Sequence, residues 1–250
     1  MNGRGMCSPF YSDSTIGTEN KLPAHERGAL DDAYAERRHA MVAEQVRARG
    51  VSDKRVLEAL RAVPRHCFVP YAMLEEAYED HPVGIACDQT ISQPYMVGMM
   101  TELLELQPGD RVLEVGTGSG YQAAVLSLLS AEVISIERHP DLAKAARDRL
   151  RELGYANVTV FCGDGTLGLP ESAPYDAIIV TAAGPEVPLP LVGQLALHGR
   201  LVCPAGGRDL QQLIKMVSTE SGIKREETIP CIFVPLLGEC GWPVSLPGAE

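Results

Sequence analysis

The stretch Arg111–Gly120, RVLEVGTGSG, constrains this chain more than any other. Val112, Leu113 and Val115 form an apolar run that breaks into Gly116-x-Gly118-x-Gly120 and passes directly into an apolar helical segment, Tyr121 to Leu129. Such a run suits a buried parallel strand. Glycines at a strand-to-helix turn admit positive φ and let a ligand approach the backbone. The helix behind them points free N–H groups at whatever sits there, which favours a carboxylate or a phosphate. The spacing is not the dinucleotide fingerprint, whose third position asks for Gly or Ala. The bulky Tyr121 stands there instead.

Around this turn the pattern alternates strand and helix. Strands are predicted at Arg111–Val115, Glu132–Glu137, Val158–Cys162, Asp176–Thr181, Arg200–Val202, Leu213–Val217 and Cys231–Val234. Helices are predicted at Tyr121–Leu129, Asp141–Leu153 and Leu189–Leu197. This rhythm makes an α/β fold, a doubly wound, mostly parallel sheet with helices on both faces. The last connection is too short and polar for a crossover helix, so the far edge should be an antiparallel hairpin. Upstream, residues 33–90 read as an N-terminal helical layer. One helix runs from about Tyr34 to Arg49, and a second follows Ser52 as N-cap, with Val56, Leu57, Leu60 and Val63 inward. A third follows QTISQPY, with Met96, Val97, Met100, Leu103 and Leu104 inward and a Pro108-Gly109-Asp110 turn behind it. Residues 1–32 lack apolar periodicity and read as a loose tail. Residues 33–250 then form a single domain, with an α/β core over 91–242 and a short tail over 243–250.

Composition excludes several functions. A net charge of −11 argues against a nucleic-acid partner. No apolar run approaches the roughly 18 residues of a membrane span, and no signal peptide is evident. Seven scattered cysteines without a C-x-x-C pair suggest neither zinc nor a disulfide framework, and point to a reducing cytoplasm. The six histidines show no ligand spacing, so no metal is expected. There is no nucleophile elbow and no Walker lysine.

Three candidates remain for chemistry. Glu137 ends the second core strand 21 positions after Gly116, where an acid can accept from ribose hydroxyls; the plainer reading is a solvated strand-end acid. Gly163-Asp164-Gly165 ends the third, where an acid could meet a base amine or simply make a turn. Ser92 precedes Gln93-Pro94 and reads as a helix cap, a role compatible with holding an anion.

These residues resemble a known family. LEVGTGSGYQ with Glu137 is similar to motif I and the acidic loop of class I S-adenosylmethionine-dependent methyltransferases. MVAEQVRARGVSDKRVLEAL, QTISQPYMV, GDG, PYDAIIVTAA, GRLVCPAGG and FVPLLGECGW narrow the resemblance to the protein-L-isoaspartate O-methyltransferases, from Met41 to about Trp242. The resemblance implies a Rossmann-like methyltransferase sheet and transfer of methyl from S-adenosylmethionine, leaving S-adenosylhomocysteine. The acceptor would be the free carboxylate of isoaspartyl residues in damaged proteins or peptides, where ester formation favours succinimide closure and partial return to aspartate. It implies Ser92 as the active-site serine, with Thr90 and Ile91 in the same loop over the cofactor. Gly116, Thr117, Gly118 and Ser119 would lie against the methionine end, Glu137 on the ribose, and Gly163, Asp164 and Gly165 beside the adenine. Glu114 and Arg138 complete the cofactor set. A cytoplasmic monomer is expected. One departure is Asp88, where the family commonly has glycine before Gln-Thr-Ile-Ser. The alternative is a relative dedicated to one peptide or biosynthetic product; a nucleotide-sensing module without turnover is a third reading.

Overall fold

The structure, a computed structural model, describes residues 34–243. The loose tail expected over 1–32 lies outside the described residues, as does all but the first residue of the tail expected over 243–250.

The first helix, α1, spans residues 34–49, widens to a π-helix over Met41–Val46, and ends on Gly50 at φ +106°. Its buried face is Met41, Val42 and Val46. Helix α2 spans Lys54–Ala62, and its cap is Asp53, not Ser52: the Asp53 carboxylate accepts from the Arg55 N–H at 2.8 Å. Ser52 does not cap: its hydroxyl donates instead to Glu102 Oε1 at 3.3 Å, the oxygen that also accepts the backbone N–H groups of Ser52 and Asp53, each at 2.6 Å. Two short 3₁₀ turns follow, Arg65–Phe68 and Tyr71–Glu76. Strands β1 (Val83–Gly84) and β2 (Thr90–Ile91) then pair antiparallel, a hairpin the sequence reading missed because two-residue strands carry no period. Helix α3 spans Pro94–Leu103.

The seven-stranded sheet comprises β3 (Arg111–Val115), β4 (Glu132–Glu137), β5 (Val158–Cys162), β6 (Tyr175–Val180), β7 (Leu195–Gly206), β8 (Gln211–Thr219) and β9 (Gly222–Cys231), in the order β5-β4-β3-β6-β7-β8-β9. Strands β3 to β7 pair in parallel, and β7-β8-β9 is antiparallel, as the short final connection predicts. Helices α4 (Tyr121–Ser127), α5 (Pro140–Glu152) and the short α6 (Leu189–Val192) make the connections. The chain runs outward from β3 to β5, then returns to the other side of β3 as β6. That reversal opens a crevice at the carboxyl ends of the strands, where ligands of doubly wound folds bind.

Several boundaries moved, most of all at α6, β7 and the last strand. The helix predicted to reach Leu197 stops at Val192, and β7 begins at Leu195. The last strand is Gly222–Cys231 and not Cys231–Val234. As the outer edge, β9 is almost wholly exposed and polar, so it lacked an apolar signature. The apolar residues 232–235 instead leave the sheet, with Pro235 bridging to Ala183.

The sheet buries both faces. On one side Val112, Val133 and Ala177 share a continuous core with Val42, Leu60, Phe68, Val97 and Leu126, which fuses the N-terminal layer to the sheet. On the other, Leu113, Ile134, Ile178 and Leu201 pack with Leu191 and Leu236.

Candidate active site

The turn after β3 is shaped by three glycines at positive φ, Gly116 (+97°), Gly118 (+53°) and Gly120 (+90°). At Gly116 a side chain is also excluded by contact, since a Cβ there would lie 2.5 Å from Thr181 Oγ1. That hydroxyl donates to the Gly116 carbonyl at 2.6 Å and ties the turn to the end of β6. On the other side the Ser119 carbonyl accepts from Arg149 Nη1 at 2.9 Å. Burial draws the Arg149 guanidinium below its ordinary pKa.

Glu137 is buried at the end of β4 and holds two elements at once. Its Oε2 accepts from the Gly118 N–H and its Oε1 from the His139 N–H, both at 2.9 Å. The solvated-acid reading therefore does not hold. A carboxylate has about four acceptor sites, so each oxygen keeps capacity for a further donor. Glu114 is fully buried one strand away. Ser135 donates to its Oε2 and lies within hydrogen-bonding distance of the Thr117 hydroxyl, while Oε1 has no partner. Burial, with the nearby Glu137 charge adding to it against the Ser135 bond, pushes the Glu114 carboxyl up to about 8.

Asp164 faces elsewhere. Its Oδ1 accepts from the Thr166 N–H at 2.9 Å and the Thr166 hydroxyl at 2.7 Å, and its Oδ2 accepts the Glu239 N–H at 2.7 Å. Burial works to raise its pKa, but these bonds and the nearby Arg138 outweigh it, and the net shift is downward. The carboxylate thus makes the turn that the Asp-Gly pair suggested and also anchors the segment 238–240. Gly163 and Gly165 flank it. A Cβ on Gly165 would strike Val115 at 2.5 Å, so that glycine lets the turn close over the end of β3.

The β1–β2 hairpin lies against the glycine turn, where a Cβ on Gly118 would come 3.6 Å from Ile85 Cδ1. Thr90 is exposed and Ile91 buried. At the hairpin tip Cys87 and Asp88 both adopt left-handed backbone, at φ +58° and +54°. The position of Asp88 therefore does demand positive φ. Ser92 follows β2 and is half-buried. Its reading as a cap is corrected: Gln93 is the N-cap of α3 without a side-chain cap bond, because Pro94 sets the helix start one residue later. The Ser92 hydroxyl makes no hydrogen bond within the described residues.

The Ser92 carbonyl leads to a residue the sequence reading passed over. Arg65 is fully buried, and its Nη2 donates to that carbonyl at 2.9 Å while its Nε donates to the Ala77 carbonyl at 2.7 Å. Its guanidinium lies 4.9 Å from the centre of the Tyr121 ring, so the residue that broke the dinucleotide fingerprint forms the floor beneath it. The available signal was the sequence itself, since Arg65 interrupts the largely apolar window VPRHCFVP.

Among the described residues no three His, Cys, Asp or Glu side chains gather as a metal site requires, and no helix is long and apolar enough to cross a membrane.

Comparison with known proteins agrees with this geometry. The family profile described as Protein-L-isoaspartate(D-aspartate) O-methyltransferase matches residues 36–241. A protein-L-isoaspartate O-methyltransferase of Methanoculleus marisnigri is 54% identical over 214 residues, covering 84% of this chain and 96% of that one. A Pelobacter propionicus relative of the same description is 56% identical over 208 residues, covering 82% and 92%. Among solved structures, one protein-L-isoaspartate O-methyltransferase superposes with TM-score 0.74 at 30% identity, covering 83% of this chain and 67% of its own. A Plasmodium falciparum structure so described, in complex with S-adenosyl-L-homocysteine, gives TM-score 0.70 at 26% identity over 80% of this chain and 98% of that one.

Proposed function

The chain belongs to the protein-L-isoaspartate(D-aspartate) O-methyltransferase family, and from that premise we propose that it methylates the free carboxylate of L-isoaspartyl residues in damaged proteins and peptides, using S-adenosylmethionine. The observation that carries the reading is the buried Glu137 carboxylate bound to the Gly118 N–H, with Ile85 of the hairpin that leads to Ser92 packed alongside. The residues fit that cofactor. The positive-φ glycines leave room for close approach, Glu137 keeps acceptor capacity for a ribose diol, and Glu114 has an unpartnered carboxyl oxygen suited to a cationic ligand. Gly116, Thr117, Gly118 and Ser119 would line the methionine end, Gly163, Asp164, Gly165 and Arg138 the adenine side, and Thr90 and Ile91 the cover.

S-adenosylmethionine supplies a sulfonium methyl, an electrophile for a carboxylate oxygen. The acceptor carboxylate has an ordinary pKa of about 4 and is already ionised at neutral pH, so the chain needs no general base. Its task is placement, an effect of proximity and orientation. We assign that task to Ser92, whose hydroxyl can donate to one carboxylate oxygen and leave the other to react. The continuous core, which runs from Tyr34 to Cys231, supports reading the described residues as one methyltransferase domain. A monomer acting in the cytoplasm without a nucleic-acid partner is the companion proposal, supported by the acidic charge and the lack of paired cysteine motifs.

The test is radiolabelled methyl transfer to paired peptides that differ only in an isoaspartyl or an aspartyl linkage. Transfer confined to the isoaspartyl peptide is expected. Equal transfer to both would overturn the reading, and activity on neither would favour a dedicated substrate.

A further inference from the structure

We propose that Arg65 is a positioning residue for the methyl acceptor, a buried guanidinium that holds the Ser92 loop by its carbonyl and supplies the positive potential into which the acceptor carboxylate settles. The inference rests on the assignment of Ser92 above and extends it to the charge behind that residue.

Arg65 is fully buried, yet it makes no ion pair with a carboxylate among the described residues. Its partners are all neutral: the carbonyls of Ala77 and Ser92, and Tyr121 through both its ring face and its nearby hydroxyl. One nitrogen, Nη1, is buried with no hydrogen-bond partner. Two other partly buried arginines are compensated, Arg200 by Asp110 and Arg111 by Glu132, whereas the buried guanidinium of Arg149, like that of Arg65, bonds a backbone carbonyl. A buried cation without a counter-charge is expensive, and removing its partner from an established pair is strongly destabilising. Carbonyls alone do not explain the choice, since a neutral amide side chain could donate to both without carrying charge into the core.

An anion arriving at Ser92 would supply the missing counter-charge. Without such help the approach is unfavourable, because the chain carries a net charge of −11 and the crevice already holds the Glu137 carboxylate. A cation placed behind the loop draws in the carboxylate without standing in the path of the methyl group. Being buried, it is also poorly screened by salt.

The test uses the full-length protein saturated with S-adenosylhomocysteine and two unreactive-state ligands, an isoaspartyl peptide and its isoasparaginyl analogue, in which a neutral carboxamide replaces the carboxylate. Calorimetry gives each dissociation constant. Wild type should prefer the carboxylate. Arg65→Met should weaken the carboxylate peptide about tenfold or more, the scale of one opposite charge nearby, while leaving the carboxamide peptide and the cofactor within about twofold. Arg65→Lys should keep most of the preference, because the charge survives although the fork of hydrogen bonds does not. Equal weakening of both peptides in Arg65→Met would mean a structural role only and overturn the proposal. So would a lysine variant that loses the preference, or a wild type that has none. The last two outcomes remain readable even if the methionine variant fails to fold. Ser92→Ala separates the two claims: unchanged binding of both peptides would defeat the Ser92 assignment, whereas a loss there with an unchanged charge preference in the Arg65 variants would defeat only this one.

Discussion

The glycine turn at residues 116–120 and the hairpin at 83–92 meet where Ile85 approaches Gly118, yet they are held by opposite chemistry. At the turn a carboxylate gathers backbone N–H groups, with Glu137 taking those of Gly118 and His139. At the end of the hairpin a guanidinium gathers backbone carbonyls, with Arg65 taking those of Ala77 and Ser92. Negative potential on one side suits a sulfonium cofactor, and positive potential on the other suits a carboxylate acceptor. The two ligands attract each other as well, so segregating the protein charges keeps each in its own half of the crevice.

Mutations should therefore separate the halves. Ser92→Ala is expected to cause the largest loss, a fall in kcat of about a thousandfold, in the range of removing an orienting or stabilising hydrogen-bond donor. Affinity for S-adenosylhomocysteine should stay within about twofold. Single-turnover methyl transfer and calorimetry check the pair of values, and a parallel loss of cofactor affinity would mean that the two halves are one unit. Glu137→Ala is the reverse case. It leaves two N–H groups without their acceptor, so cofactor affinity should fall about a hundredfold, or ~2.7 kcal/mol. If kcat at saturating cofactor fell just as far, the division would be mistaken.

A third effect belongs to pH. Glu114 has its folded pKa raised to about 8, chiefly by burial, so between its unfolded value and 8 the folded chain binds more protons than the unfolded one. Stability must then decline as pH rises through that window and level off above it. Glu114→Gln should flatten the decline, making the variant more stable than wild type at pH 9 and nearly equal at pH 5 in denaturant melts. A parallel pH profile in both proteins would show that Glu114 is ionised without penalty.

The two halves were also unequally legible in the sequence. The glycine turn and Glu137 were readable because strand, turn and acid follow a short repeating unit, and Glu137 meets the turn within one βαβ segment; the ties of the turn to Thr181 and Arg149 were not. Ser52 and Ser92 read as caps but are not, because cap choice depends on competitors that a serine pattern does not show: the Ser52 hydroxyl turns to Glu102, 50 residues on, and Pro94 sets the start of α3 one residue later. Strand β9 was misplaced because an exposed edge needs no apolar pattern. Arg65 was passed over because its meaning arises only when residues 65, 77, 92 and 121 come together in space. Asp164 was readable as a turn residue, but its bond to Glu239 joins segments 75 residues apart.

The smallest expected effect lies at the hairpin tip. Cys87 and Asp88 occupy consecutive left-handed conformations, and the turn closes through a bond from the Gln89 N–H to the Ala86 carbonyl at 3.3 Å. Two consecutive positive-φ positions define a turn for which Asn-Gly or Asp-Gly is preferred, and Asp at the second position bears a penalty that Gly does not. Asp88→Gly should therefore relieve strain, offset in part by the greater entropy of the unfolded glycine. A net gain of about 0.5 kcal/mol, or roughly 1–2 °C in Tm, is expected for a chain of this size. The substitution also removes an exposed negative charge from the acceptor half. The KM for an isoaspartyl peptide should fall modestly, and more at low salt than at high, because an exposed charge is screened. A gain in Tm without any change in KM would mean that the tip shapes the hairpin but lies outside the path of the acceptor, confining the electrostatic contrast between the halves to buried groups.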